Sequence, residues 1–392
     1  MKKNNDKITT FFTIYSNVHT SVLIKDNGMI PAVLSRLGLY DSYYVSYIPE
    51  DTEDEYVKYV KACGLKLIHV DHIFTENEQF TWHSPTLRVQ SDMMKFIWKN
   101  ASKMNVLNLY FVKTSILYAL LYKLLNPKGK CYVKADVNIE DLADPNTFTG
   151  KIKTAINRWY LNLIPDLVSV ESQKALHVFQ ERYKLSDKKL KYIPNGVDDS
   201  FLSKIKLREY SEKENIILTV ARFGTKQKNT PFLLRVCTLL KGRLNGWKFI
   251  AIGLIDPTFI HDLEEFYKNN PDMKDVIEFV GPINDRYKLF EYYNKAKIFC
   301  LTSTHESFGI SYVEALSMGC YIVSTPVVPL TDFIYSKEGS CGIACESEKQ
   351  MADAISNIIE NEDILRQAYP SIIQHSKQFY LNTIYSKLAT YL

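Results

Sequence analysis

Two glutamates in the stretch THESFGISYVEALSMGC, residues 304–320, are spaced so that both can border one ligand. Glu306 precedes a small Ser-Phe-Gly turn, and Glu314 follows in a run that is otherwise mostly apolar. We interpret that run as a helix that follows the strand KIFCLTS and is closed by Gly319. The first amides of such a helix have no internal partners and carry the positive end of its dipole. With Gly309 allowing close approach, the turn could hold a diphosphate.

The two carboxylates point to a second part of the same ligand. A carboxylate repels phosphate, so Glu306 and Glu314 are expected to accept hydrogen bonds from neutral hydroxyls. Sugars supply hydroxyls, and a ligand with both phosphates and hydroxyls is a sugar nucleotide. The alternative places Glu306 in a solvated loop and Glu314 on an exposed helix face, as is usual for single glutamates. The spacing of the pair around Gly309 favours the site.

A second segment, TVARFGTKQKNTPFLL at residues 219–234, has two cations after a strand. Arg222 follows the end of the strand, Lys228 lies six positions on, and a helix is expected to begin near Thr230. Two cations in such a loop suit a diphosphate. The alternative is a solvated basic loop, which the presence of the glutamate segment makes less favoured.

These segments resemble the signature of retaining GT-B glycosyltransferases of family 4, in which E-x7-E precedes a run similar to ALSMGCYIVST. Ser307 stands where the family commonly has Gly, and Tyr321 where it commonly has Pro. The resemblance implies that Arg222 and Lys228 hold the donor diphosphate, that Glu306 orients the sugar, and that Glu314 binds the ribose hydroxyls. It also implies retention of anomeric configuration, without a metal or other cofactor.

Three further matches are weaker. IPNGVD at residues 193–198 corresponds to the hinge before the donor domain, and VGPIN at 280–284 to a loop whose backbone near Ile283 lies against the nucleobase. The third is SNVHTSVLIKDNGMIPAVLSRLG, which resembles the family's first strand–loop–helix but lacks the usual Gly-Gly pair. Gly28 or the Lys25–Asp26 pair is the candidate replacement, and the plain start of a helix is the alternative.

The acceptor side departs from the family, which often places a His after a central strand of the first domain. KCYVKADVN puts Lys134 and Asp136 there. Asp136 is the candidate, a strand-end capping Asp is the alternative, and His19 and His305 are weaker choices. The catalytic candidates are Arg222, Lys228, Glu306 and Asp136. The donor-binding candidates are Gly28, Ile283, Ser307, Phe308, Gly309, Ile310 and Glu314.

The elements that must position these residues are short β-branched and aromatic runs separated by amphipathic segments. This alternation predicts an α/β fold with parallel sheets covered on both faces. We expect two doubly wound Rossmann-like domains of the GT-B type, facing across a cleft, with ligands beyond the carboxyl ends of the strands. The predicted boundaries are 1–196 for the acceptor-side domain, 197–375 for the donor domain, and 376–392 for a helix packing back on the first domain.

Composition is ordinary for a globular chain of 392 residues, with 46% hydrophobic and 23% charged residues and a net charge of +4. The segment 93–135 carries eight lysines and no acid. Interleaved with Trp, Tyr and Leu, it is a candidate for peripheral membrane contact or for a phosphate-bearing lipid acceptor. A solvated helix face is the alternative. No nucleic-acid motif accompanies it.

Seven scattered cysteines without a CxxC pair, and no long apolar run, favour a cytoplasmic location, with the inner face of the membrane as a candidate site of action. There is no D-x-D, no P-loop, no G-x-G-x-x-G and no His/Cys cluster with metal spacing. The predicted function is transfer of a sugar from a nucleotide-diphosphate donor to a glycan or lipid-linked acceptor hydroxyl, as in surface polysaccharide assembly. The alternatives are a GT-B-type sugar-nucleotide epimerase or hydrolase, a non-catalytic partner subunit, and a two-lobed solute-binding protein.

Overall fold

The computed structural model describes residues 9–74, 86–137, 139, 142, 144, 146–337 and 339–392. The chain forms two compact units, and its C-terminal residues belong to the first unit. The first unit extends to Asn195 and includes Leu381–Leu392, and the second is Gly196–Tyr380. Among the described residues, no helix combines the length and the apolar character needed to cross a bilayer.

The first unit is built on a seven-stranded parallel sheet in the order β3-β2-β1-β4-β5-β6-β7. The chain moves outward from β1 in one direction, then returns and continues from β4 in the other, which is the doubly wound pattern. The strands are β1 (Thr10–Ile14), β2 (Asp41–Ser46), β3 (Lys66–His69), β4 (Val106–Tyr110), β5 (Lys130–Lys134), β6 (Leu167–Val170) and β7 (Leu190–Tyr192).

Helices cover both faces of this sheet, and an apolar core lies between the sheet and the helices on each face. One core includes Met93, Tyr122 and Leu161, and the other includes Ile30 and Tyr385. The helices are α1 (Asp26–Arg36), α2 (Glu55–Ala62), α3 (Leu87–Asn100), α4 (Val112–Leu125), α5 (Phe148–Leu163) and α6 (Gln173–Tyr183), with 3-10 turns at Thr20–Val22 and Ala101–Lys103.

The second unit repeats the pattern with a six-stranded parallel sheet in the order β10-β9-β8-β11-β12-β15. Its strands are β8 (Glu214–Val220), β9 (Lys248–Ile252), β10 (Ile277–Gly281), β11 (Ala296–Leu301), β12 (Tyr321–Ser324) and β15 (Gly342–Ala344), beside an antiparallel pair of β13 (Tyr335–Ser336) and β14 (Gly339–Ser340).

The helices of the second unit pack on its main apolar core, and a smaller apolar cluster is formed by Leu234, Phe259 and Leu263. The helices are α7 (Asp199–Leu202), α8 (Thr230–Leu239), α9 (Ile260–Asn269), α10 (Arg286–Lys295), α11 (Ile310–Ser317), α12 (Leu330–Ile334), α13 (Glu348–Glu360) and α14 (Asp363–Ser376). Short 3-10 turns occupy Tyr210–Glu212, Pro257–Phe259, Pro271–Asp275 and Lys377–Phe379.

The predicted α/β fold with two doubly wound Rossmann-like domains is confirmed, as is the return of the C-terminal helix to the first unit. That helix is α15 (Leu381–Ala389), whose Ile384, Tyr385 and Leu388 lie in the core on the α1 side. The return begins at Leu381 and not at residue 376. The intervening residues stay with the second unit because Phe379 lies in its core and Tyr380 pairs with Val197.

One buried lysine fixes the ends of two helices of the second unit. Lys213 Nζ donates to the carbonyl oxygens of Asn294 (3.0 Å), Ala296 (2.8 Å) and Met318 (2.7 Å). These carbonyls lie at the ends of α10 and α11, where helix carbonyls lack internal partners. Burial lowers the pKa of Lys213. Lys213 thereby fixes α11, the helix that carries Glu314.

Replacing this lysine should weaken the second unit. We expect Lys213→Met to lower the free energy of unfolding by about 2–4 kcal/mol, because carbonyls at two helix ends lose a charged donor. Chemical denaturation followed by circular dichroism measures the change. The exposed Lys274→Met is the matched control, expected within about 0.5 kcal/mol of the wild type. Equal stability of the two variants would contradict an anchoring role for Lys213.

Candidate functional site

The candidate site lies where two neighbouring strands of the second sheet end. β8 and β11 are paired in parallel, so the loops after them, residues 221–229 and 302–309, start side by side. The loops are joined by hydrogen bonds. The Thr304 amide donates to the Gln227 carbonyl (2.8 Å), and the Thr302 hydroxyl donates to the Lys228 carbonyl (3.0 Å). The two predicted segments are therefore parts of one structure.

A buried ion pair connects the charged residues of these loops. Lys228 Nζ contacts Glu306 Oε1, and the side chains are only 14% and 6% exposed. The same Glu306 oxygen accepts a hydrogen bond from the Ser303 hydroxyl (2.6 Å), and Oε2 accepts one from Gln227 Nε2 (3.4 Å). A buried carboxylate needs such donors, because an unpaired charge in the interior is costly. The sequence predicted both residues for the site but not their direct pairing.

Arg222 lies at the start of the same loop and is exposed. The loop turns tightly after it, since the Thr225 hydroxyl donates to the Arg222 carbonyl (3.0 Å) and the Lys228 amide donates to the Thr225 carbonyl (3.1 Å). Within the described ranges, the Arg222 guanidinium has no ion pair. It is thus a cation that could meet an anionic ligand without first breaking a contact.

The turn before α11 has the backbone geometry that a glycine requires. Gly309 has φ +80°, and a Cβ there would lie 2.7 Å from Cδ2 of Tyr312. Tyr312 cannot easily move, because its ring is buried and its hydroxyl contacts the Ser324 hydroxyl at 2.6 Å. Gly309 therefore shapes the start of α11, where Ile310 and Ser311 supply first-turn amides.

The other turn residues differ in environment. Ser307 is exposed, and Ile310 is 39% exposed. Phe308 is buried and packs edge-on against Phe333, with ring centroids 5.2 Å apart. Its side chain belongs to the core, so only its backbone is available to a ligand. His305, a weaker choice from the sequence, contacts the Thr304 hydroxyl through Nδ1 at 3.0 Å.

Glu314 faces α10. Its Oε2 accepts a hydrogen bond from the Tyr293 hydroxyl (3.0 Å). Burial raises the pKa of Glu314, while the nearby Arg286 and the Tyr293 hydrogen bond oppose that rise. The carboxyl group is thus held in place and partly covered, and is not on an exposed helix face. Ile283 follows β10 and is half-buried against the core of the second unit.

The first unit holds a separate group of charges at the carboxyl ends of its central strands. Lys134, the last residue of β5, is fully buried; its Nζ contacts Asn195 Oδ1 and lies 3.3 Å from Asp26 Oδ2. Burial lowers the pKa of Lys134, but nearby Asp26, Tyr132 and Glu171 outweigh it and leave the pKa raised. Lys134 is therefore a structural cation, and Asp26 its partner.

Asp136 lies two residues beyond β5 with φ +37°, which is uncommon for a residue with a side chain. Its carboxyl group is beside that of Glu171, the residue after β6, which is fully buried. Burial and the nearby Asp26 raise the pKa of Asp136 to about 6. Burial and Asp136 raise the pKa of Glu171 well above its usual range. Two carboxylates offer only acceptors, so their contact is a hydrogen bond only when one carries a proton.

Sequence reasoning missed Glu171. The available signal was its place directly after the apolar strand LVSV, where a parallel sheet presents residues to a ligand. For Gly28 the structure gives a packing reason, because a Cβ there would lie 2.2 Å from the Leu23 carbonyl oxygen. Its amide donates to Asn27 Oδ1 (3.0 Å). Its donor-binding role stays a prediction. His19 is exposed before a 3-10 turn.

The lysine-rich segment 93–135 is less strongly basic in three dimensions than in sequence. Lys95 pairs with Asp92 (2.8 Å), Lys123 pairs with Asp166 (3.1 Å), and Lys134 is buried. Acids that lie outside the segment in sequence are therefore beside it in the fold. Membrane contact through this segment stays a prediction.

Comparison with known proteins finds a family match within the second unit. The sequence model of the family "Glycosyl transferases group 1" matches residues 203–375. The chain is 24% identical over 208 residues to a Campylobacter jejuni transferase that adds N-acetylgalactosamine to a glycan on undecaprenol diphosphate, covering 53% of this chain and 54% of the relative. It is 26% identical over 186 residues to a phosphatidyl-myo-inositol mannosyltransferase of Mycobacterium tuberculosis, covering 45% and 46%. The chain thus spans about half the length of these curated relatives.

Similarity to solved structures extends over almost the whole chain. Anabaena Alr3699/HepE, crystallised with UDP, superposes with a TM-score of 0.68 over 98% of this chain and 99% of its own, at 14% identity. At that identity the likeness shows the fold alone.

The carboxyl pair of the first unit makes stability depend on pH. Because the pKa of Glu171 is raised on folding, the folded chain binds more protons than the unfolded one, and stability falls as pH rises above the unfolded pKa of about 4.3. Glu171→Gln cannot ionise and still offers an amide donor to Asp136. Its melting temperature relative to the wild type should therefore rise from pH 5 to pH 8. The exposed Glu55→Gln is the control; a difference for Glu171→Gln that does not change with pH would contradict a shared proton.

Proposed function

We propose that the chain transfers a sugar from a nucleotide-diphosphate donor to an acceptor hydroxyl during glycan assembly. The observation that carries the proposal is the buried Lys228–Glu306 pair at the carboxyl edge of the second sheet. It places a cation for phosphate and a carboxylate for hydroxyls in contact, beside the first turn of α11. The match of the glycosyltransferase family to residues 203–375 supports the same activity for this unit.

Charge balance suggests how the pair would respond to a donor. Glu306 neutralises Lys228, and an incoming diphosphate would compete with that carboxylate for the lysine. Glu306 would keep its hydrogen bonds from Ser303 and Gln227. Its oxygen facing Lys228 would then be available to a sugar hydroxyl. Exchange of partners would thus couple binding of the diphosphate to orientation of the sugar.

The leaving diphosphate gains negative charge as the glycosidic bond breaks, and this is where fixed positive groups lower the barrier most. Lys228, Arg222 and the first-turn amides of α11 are the groups that would meet it. Arg222 adds a planar fork suited to phosphate oxygens. Glu314 would bind the ribose, and the backbone near Ile283 the base. Retention of configuration and independence of metal ions are part of the proposal and rest on the resemblance to family 4.

A glycan on a lipid carrier is the acceptor class we propose. Two relatives support it by what they act on, an undecaprenol-linked glycan and a phosphatidylinositol. We propose that the reaction takes place at the cytoplasmic face of a membrane, because a lipid carrier is confined to the bilayer. The seven cysteines are all free and buried, which fits a reducing compartment. Asp136 is the proposed partner of the acceptor hydroxyl.

The two members of the pair should affect nucleotide binding in opposite directions. Lys228→Met should weaken binding of the nucleoside diphosphate and lower transfer by about 10²- to 10³-fold, because a cation facing the leaving group is lost. Glu306→Gln should lower transfer by at least about 10-fold but tighten binding of the free diphosphate, since no carboxylate then competes for Lys228. Binding of UDP, GDP and ADP is measured by thermal shift. Transfer from the corresponding nucleotide sugars is measured by a coupled assay for the released nucleoside diphosphate.

The exposed neighbour Lys226→Met serves as the control, expected to keep transfer and binding within about 2-fold. If the pair only holds the two loops together, both variants will lose stability and nucleotide binding alike, and the assignment is wrong. Turnover of the donor by the wild type without any acceptor would instead identify an epimerase or hydrolase.

Metal independence has its own test. Because Lys228 and Arg222 are the cations proposed for the diphosphate, EDTA should change the transfer rate by less than about 2-fold, whereas an enzyme that bridges the diphosphate through a metal loses orders of magnitude. Initial rates are compared with and without EDTA, and with Mg²⁺ or Mn²⁺ added back. Loss of activity with EDTA and its recovery with either ion would overturn this part of the proposal.

A further inference from the structure

Helix α5 of the first unit has an apolar stripe directed away from the protein. Five large side chains, Phe148, Ile152, Ile156, Trp159 and Leu163, are between 46% and 79% exposed. At 3.6 residues per turn they fall within an arc of about 80°. A single exposed apolar residue is ordinary, whereas a continuous row along four turns marks an interaction surface.

The opposite side of the helix holds it to the body of the unit. Gly150 and Leu161 are buried and lie about 160–180° from the centre of the stripe. Tyr160 is also buried, and its hydroxyl donates to the Ser115 hydroxyl of α4 at 2.8 Å. The Thr147 hydroxyl caps the first turn by accepting from the Gly150 amide. The helix is therefore held in place by its buried residues, and the stripe is a fixed surface.

Charge on α5 is confined to the flanks of the stripe and has one sign. Lys151 and Arg158 lie about 100–120° to one side of its centre, and Lys153 about 100° to the other. All three are exposed, and none of them forms an ion pair with another residue that the structure describes. Neither α5 nor the neighbouring α4 contains an acidic residue. An apolar face bordered by cations is the pattern of a helix that lies in the plane of an anionic bilayer.

A depression beside the stripe fits the same surface. It has a volume of about 370 Å³ and is lined by Ala155, Arg158, Trp159, Asn162 and Lys184. Two cations next to an indole ring suit the boundary of a membrane, where phosphates meet the outer acyl carbons. α4 also carries two exposed leucines, Leu117 and Leu124.

We propose that α5 is a membrane-docking helix, which inserts its stripe among the acyl chains of an anionic bilayer while Lys151, Lys153 and Arg158 contact lipid phosphates. A second copy of the chain fits less well, because a symmetric contact through the stripe would bring the cations of one α5 against those of the other, and α5 has no acid to neutralise them. The inference goes beyond the proposed function and does not depend on glycosyl transfer, since docking needs neither donor nor acceptor.

Vesicle sedimentation with the full chain tests the proposal. Two vesicle types are compared: phosphatidylcholine alone, and phosphatidylcholine in which about a third of the lipid is phosphatidylglycerol. We expect at least about 10-fold tighter binding to the anionic vesicles, weakened by salt, because each cation near such a surface contributes about 5-fold. The double variant Ile156→Ser/Trp159→Ser should lose at least about 10-fold in binding. Lys151→Gln/Lys153→Gln/Arg158→Gln should bind both vesicle types with similar, weak affinity.

The control is Leu254→Ser, which removes from the second unit an apolar side chain about as exposed as Ile156 and Trp159. This variant should bind vesicles as the wild type does. Unchanged thermal unfolding shows that each variant is folded. Quenching of Trp159 fluorescence by brominated lipid, absent in Trp159→Ser, measures insertion in the otherwise unaltered chain. Equal binding of the wild type and the stripe variant, no quenching, or a dimer that only the stripe variant dissociates would overturn the proposal.

Discussion

The carboxyl ends of β8 and β11 lie side by side because the two strands pair in parallel, and the candidate site depends on that adjacency. The loops that follow start next to each other and become joined through Thr302 and Thr304. Lys228 and Glu306 can then meet, and their contact offsets the cost of covering each charge. Gly309 shapes the start of α11 beside this site, and Lys213 fixes the end of the same helix.

The two units solve the problem of buried charge in different ways. In the second, Lys228 and Glu306 balance, and Ser303 and Gln227 satisfy the remaining acceptor positions. In the first, Asp26, Asp136 and Glu171 surround one buried cation, Lys134. More acids than bases in a low-dielectric site leave one way to lower the charge, which is to bind a proton. The first site is therefore sensitive to pH, because folding raises the pKa of both Asp136 and Glu171.

The basic segment and the exposed apolar helix of the first unit are different parts of the chain. The lysines of residues 93–135 are conspicuous in sequence, but several of them pair with acids or are buried once the chain folds. The apolar residues of α5 look in sequence like one face of a core helix. In the structure these apolar residues are exposed, and the buried residues of α5 include Gly150 and Tyr160. An amphipathic pattern gives two faces but does not say which of them is buried.

The sequence by itself determined the alternation of strands and helices, and with it the two doubly wound sheets, because local periodicity and crossover geometry leave few other folds. It also predicted that Arg222, Lys228, Glu306 and Gly309 lie near one another, since each follows a strand at its carboxyl end. Tertiary structure alone decided that Lys228 contacts Glu306, 78 residues away, that Asp136 has Glu171 as its neighbour, and that Phe308 belongs to the core. The physical reason is that pairing, burial and the pKa of a carboxyl group depend on what lies across space, and the local pattern of residues contains no information about that.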